Sequence, residues 1–140
     1  MRSGFWFGLV AAVSVAGAAH AASPIEGRWL TPVQHGVIEI TSCGESICGR
    51  VVSSDRIKAD PELKDTNNKN PALRERSVRG LPMLAGFTGG PTEWKGGTAY
   101  NPDDGNTYKG SLTLADPNTL KVTGCVVFPL CKTQTWTRAN

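Results

Sequence analysis

From Ile25 onward, apolar and polar residues alternate with the period of two that marks extended strands, and turn chemistry interrupts the pattern about every ten residues. Gly27-Arg28-Trp29-Leu30-Thr31 opens the fold, with Trp29 on one face and Arg28 and Leu30 on the other. After a turn at 32–36, residues 37–42 place Ile38 and Ile40 on one face. Residues 49–53 return as the hairpin partner across Gly44-Glu45-Ser46. Further strands are expected at 81–87, 93–100, 107–114, 120–127 and 132–138. Pro82 confines the first of these to a sheet edge or to the strand's first residues, and Gly96-Gly97 marks a bulge in the second. Asn101-Pro102-Asp103-Asp104-Gly105-Asn106 has the proline, aspartates and glycine of a hairpin turn. About eight short strands with such spacing predict an all-β barrel or sandwich.

Residues 55–79 break the pattern. They are polar, dense in charge of both signs, and hold Pro61 and Pro71. They read as one long solvated loop with a helical turn around 61–64. A calcium loop does not fit, because the sixth position from Asp65 is Asn70 rather than glycine and the twelfth is Arg76 rather than glutamate. No metal or cofactor is expected.

The first residues read differently again. Arg2 followed by an uncharged apolar run from Phe5 to Ala18 and by Ala19-His20-Ala21 has the form of a secretory signal peptide, cut after Ala21 or Ala22. The run is shorter than the ~20 residues a spanning helix needs, so no membrane insertion is expected. Residues 1–22 are therefore assigned to the leader and 23–140 to a single barrel domain, periplasmic or secreted. Losing Arg2 takes the formal charge from +3 to +2, too little clustered base for a nucleic-acid partner.

All four cysteines, Cys43, Cys48, Cys125 and Cys131, lie in the exported part, and an even number in a small exported domain reads as two disulfides. Three pairings exist in principle. The tight turn inside each close pair favours Cys43–Cys48 and Cys125–Cys131. Neither spacing is the two-residue gap of redox or zinc sites.

Glu26-Gly27-Arg28-Trp29 near the expected mature start and Thr133-Gln134-Thr135-Trp136-Thr137-Arg138 at the end resemble the lipocalin and calycin arrangement. There, a Gly-x-Trp on the first strand packs beneath an arginine from the last. With Cys43-Gly44 to Cys48-Gly49, Leu81-Pro82-Met83-Leu84, Tyr100 to Tyr108 and Gly124-Cys125, the chain is similar to a bacterial exported family known only as domain of unknown function 2147. The resemblance implies a small antiparallel lipocalin-like barrel and brings no activity with it. Beside it stands a physical expectation: a guanidinium from Arg138 stacked on Trp29, with Trp136 on the same strand, closes one end of the sheet.

No catalytic constellation is visible, and no enzyme is expected. His35 is the one histidine beyond the leader and lies in a turn, and Asp103 and Asp104 are explained by theirs. The first functional reading is a monomeric barrel that binds a small apolar or amphipathic ligand. Phe87, Trp94, Tyr100, Tyr108 and Phe128 are candidate lining residues, with Arg50 or Arg79 to receive an acidic head group. The alternative is a protein-binding module, such as an inhibitor of a periplasmic or secreted hydrolase, with 55–79 as the contact surface.

Overall fold

The structure, a computed structural model, describes residues 3–4, 8–14 and 23–139. The expected cleavage position after Ala21 or Ala22 lies outside the described residues. The expected all-β barrel is what forms. Eight strands, β1 Gly27–Leu30, β2 Val37–Cys43, β3 Ser46–Ser53, β4 Pro82–Gly89, β5 Glu93–Asn101, β6 Asn106–Asp116, β7 Thr119–Val127 and β8 Leu130–Arg138, pair antiparallel in chain order. β8 returns to β1 and closes the ring. One five-residue helix, α1 Asp55–Ala59, and a 3₁₀ turn at Pro71–Leu73 lie between β3 and β4.

The sheet closes through its shortest strand. β1 has four residues, and it meets β8 only at Trp29↔Arg138 and Leu30↔Thr137. Side chains do the rest of the sealing. The Arg138 guanidinium lies 4.1 Å from the centre of the Trp29 ring. Its Nη1 donates to the Glu26 carbonyl at 2.7 Å, and its Nη2 donates to the carbonyls of Pro24 at 2.9 Å and Pro117 at 2.8 Å. Trp29 is fully buried beneath it and donates its indole N–H to the Ile25 carbonyl at 2.9 Å. One side chain thus ties the N-terminal approach, the β6–β7 turn and the last strand together. Gly27 makes this approach geometrically available: its φ is +125°, and a Cβ there would stand 2.9 Å from Arg138 Nη1.

The half of the barrel above this seal is packed solid. Ile25, Trp29, Ile40, Ile47, Phe87, Trp94, Leu112 and Leu120 are all at most 5 % exposed. Phe87 lies across the lumen against β5 and β6, where a side chain at Gly97 would overlap its ring. The Cys43–Cys48 disulfide spans the β2–β3 turn at this sealed end, and Cys125–Cys131 joins directly opposed residues of β7 and β8 at the other end.

Of the two places open to Pro82, a sheet edge or a strand's first residues, the structure has the second, because β4 lies between β3 and β5 and begins at Pro82. Proline is tolerated there as the strand's first residue, at a register shift opposite Arg50. The helical turn forms at 55–59 rather than 61–64, since Ser54 caps it by accepting from the Ile57 N–H at 3.2 Å and Ile57 buries against the core.

Replacing Arg138 with alanine removes the donor to the Pro24, Glu26 and Pro117 carbonyls and uncovers the Trp29 face, and is expected to lower stability by about 3 kcal/mol. Arg138→Lys should recover only part of this, because an ammonium cannot serve several carbonyls from one plane. Urea unfolding of both variants is the check, and an alanine variant as stable as the parent would contradict the sealing role.

Candidate functional site

Above the packed half, side chains no longer fill the lumen. A cavity of about 600 Å³ opens at the end that carries the β1–β2 loop, the long β3–β4 connection and the β5–β6 and β7–β8 turns. Its floor and walls are apolar: Trp136, Leu84, Ile38, Val51, Val122 and Ala99. Trp136 is itself 1 % exposed and donates its indole N–H to Gln134 at 2.9 Å, so the floor is a fixed plate. Leu130, Lys132, Gln134 and Trp136 alternate along the lumen face of β8. All but Trp136 are exposed. Inward-facing residues that remain wet show that the cavity reaches solvent along this strand. The reason is the shortness of β1, since β8 has no β1-side ladder from Leu130 to Trp136.

The rim is polar and carries both charges. Arg56 pairs with Asp103, and the Tyr108 hydroxyl donates to Asp104, a hydrogen bond that raises the tyrosine pKa above its ordinary value. His35 Nδ1 lies 2.8 Å from Asp55 Oδ2 and Gln34 C=O accepts from the Asp55 N–H at 2.9 Å, which joins the β1–β2 loop to α1. Both side chains of that pair are largely exposed. Among the described residues, no group of histidine, cysteine, aspartate or glutamate is placed to hold a metal ion.

The connection at 55–79 is ordered rather than merely solvated, and its organiser is Asp65, which the sequence offered only as the first position of a calcium loop that does not fit. Asp65 is 1 % exposed and accepts three hydrogen bonds: from Tyr100 Oη at 2.6 Å, Asn68 Nδ2 at 2.9 Å and Arg76 Nε at 2.9 Å. Burial pushes its carboxyl pKa up, but the three donors and the charge of Arg76 outweigh it and hold the group below 3.8. The same contact, seen from the phenol, acts in the other direction. Burial first, then the hydrogen bond and charge of Asp65, push Tyr100 up to about 12. The Arg76 guanidinium also lies 5.2 Å from the Tyr100 ring centre. Around this centre, Asn67 Nδ2 donates to the Pro102 and Asp103 carbonyls, and a side chain at Gly105 (φ +72°) would overlap the Asn67 carbonyl. The loop is thereby locked to the β5–β6 turn, and Leu63 and Val78 from it join the cavity wall.

Of the residues named from sequence as lining, Tyr100 and Tyr108 border the cavity. Phe87 and Trp94 do not, because they belong to the packed half and are buried at 0 % and 2 % exposure. Phe128 is 86 % exposed and faces an outer groove. Arg50 and Arg79 are exposed away from the cavity. Arg50 neighbours the inward Val51 and must therefore point out, a parity that the sequence itself displays. The rim's cations are Arg56 and Lys132 instead. Lys132 was legible in the same way, two residues from Gln134 and four from Trp136 on one face of the last strand.

A family model described as "Uncharacterized protein conserved in bacteria (DUF2147)" matches residues 27–138. Among solved structures, the chain is similar to protein HP1028 from the human pathogen Helicobacter pylori, described as belonging to the lipocalin family. The two are 27 % identical, with a TM-score of 0.74 over 82 % of each chain. No curated protein matches the chain.

In alkaline titration followed by tyrosine absorbance, Tyr100 is expected to ionise near 12. Because its folded pKa is raised, the stability it contributes is full below the ordinary value of 10 and is lost as pH rises from 10 towards 12. Asp65→Asn should bring that titration back towards 10 and lower stability by about 3 kcal/mol through the loss of Arg76's partner. A Tyr100 that titrates identically with and without Asp65 would contradict the assignment.

Proposed function

The chain belongs to the DUF2147 family of bacterial proteins, whose model spans all eight of its strands, and on that footing we propose that it binds a small apolar or amphipathic molecule in the open half of its barrel. The observation that carries the reading is the cavity of about 600 Å³ with an apolar floor and a polar rim. That size falls within the roughly 300–1,000 Å³ of small-molecule sites. Eight-stranded barrels of the lipocalin type hold one small ligand in this position, and the likeness to HP1028 supports the parallel. The ligand's apolar part lies against Trp136, Leu84 and Val122, and its polar end lies at the rim among Lys132, Gln134 and Tyr108. No residue is assigned a catalytic step. Two disulfides fit an oxidising compartment, and together with the leader-like pattern read from the sequence they support export to the periplasm or beyond.

Ala99 lines the cavity and sits opposite Tyr108 on β6, so a large side chain there projects into empty space rather than into core. Ala99→Trp is expected to weaken binding of the fluorescent probe N-phenyl-1-naphthylamine by more than about tenfold, the equivalent of 1.4 kcal/mol. The unfolding midpoint should barely move. Val122→Phe is the second filling variant, should the first fold poorly. Probe affinity that is unchanged in both would sink the proposal.

A further inference from the structure

The tip of the β7–β8 hairpin is apolar at a place where nothing in the fold requires it. Val126, Val127, Phe128 and Leu130 are 71 %, 65 %, 86 % and 71 % exposed, within five consecutive residues. A tight turn needs only Pro129 and small or polar neighbours. Four large apolar side chains gathered in water are unfavourable unless something covers them. The Cys125–Cys131 disulfide closes the base of the tip, so the group is presented as a unit. Val126 and Leu130 are also part of the cavity's lip.

The surrounding charge indicates what covers it. No aspartate or glutamate occurs from Pro117 to the end of the chain. Lys109 is paired in register with Cys125 at the base of the tip, and Lys132 follows Cys131 on the far side. Lys95 and Lys109 border the outer groove that Phe128 faces. The two acids that line the cavity mouth are each held by a partner, Asp103 by Arg56 and Asp104 by Tyr108. Apolar side chains at a tip with lysines set behind them match the cross-section of an anionic bilayer surface. There, the apolar groups enter the acyl boundary and the ammonium groups lie at the level of the phosphates.

We infer that the open end of the barrel docks peripherally on an anionic lipid surface through Val126, Val127, Phe128 and Leu130, with Lys109 and Lys132 facing the head groups. Docked in this way, the cavity mouth faces the bilayer, and an amphipathic molecule passes between the two without crossing water. The docking rests on the tip and its charges and holds whether or not the cavity is occupied.

The test uses residues 23–140, which carry all eight strands of the barrel, both disulfides and every buried apolar residue among those described. The protein is co-sedimented with phosphatidylcholine vesicles, with and without phosphatidylglycerol, at low and high salt. Binding is expected only with phosphatidylglycerol and should weaken with salt. Phe128→Asp should lower it by more than about tenfold, and Lys109→Gln by about fivefold. Near-ultraviolet circular dichroism and probe binding in the cavity should be unchanged in both variants. Equal sedimentation with both vesicle types, or a Phe128→Asp variant that binds as the parent does, would overturn the inference. So would a dimer in vesicle-free solution that Phe128→Asp dissociates, with no lipid binding by the parent, since the tip would then join two copies of the chain.

Discussion

The barrel depends on the stacking of Arg138 on Trp29. Backbone pairing between the first and last strands amounts to two residue pairs, too little to hold a sheet shut by itself. The guanidinium supplies what the ladder lacks, reaching three backbone carbonyls, two in the N-terminal approach and one in the β6–β7 turn, while covering a buried indole. A planar, permanently charged group with donors on several sides can do this where a single ammonium cannot. Glu26 adds to the same seal: its carboxylate accepts from the Ser42 N–H at 2.7 Å, and hydrogen bonding from the Ser42 side chain first, then from its backbone, lowers the Glu26 pKa.

Because the seal lies at one end, the two halves of the lumen differ. Near it, Trp29, Phe87 and Trp94 fill the section, and glycines at 97 and 110 give Phe87 the room it needs. Further along, the inward positions hold smaller residues: Val51 on β3, Ala99 on β5, Val122 and Gly124 on β7. The volume that large side chains no longer occupy is the cavity. The short β1 has two effects at once, making the closure dependent on Arg138 and leaving the lumen face of β8 open to solvent. The buried Asp65 cluster keeps the opposite wall fixed by tying the long connection to the β5–β6 turn.

Much of this was legible in the sequence because strand patterning is local. Alternation and turn residues delimit the eight strands, and the end-to-end pairing of Trp29 with Arg138 follows from the resemblance and from the chemistry of the two groups. What escaped depends on tertiary neighbours. Asp65 sits in a polar run with Asn67 and Asn68, and nothing in that run distinguishes the carboxylate that will meet Tyr100 from one that will face water. Phe87 and Trp94 share the inward parity of true lining residues, but their height along the barrel decides whether they fill it or border the cavity. Arg50 is different, since its position beside Val51 already excluded it from the lumen.

The central claim is that the barrel is solid at the Trp29–Arg138 end and able to accept a ligand at the other. Nuclear Overhauser contacts between decanoate and the protein's methyl groups test it most directly. Contacts are expected at Ile38, Val51, Leu84 and Val122 around the cavity, with none at Ile25, Ile40, Leu112 or Leu120 in the packed half. Contacts confined to the outer surface, or spread through the packed half, would contradict the account.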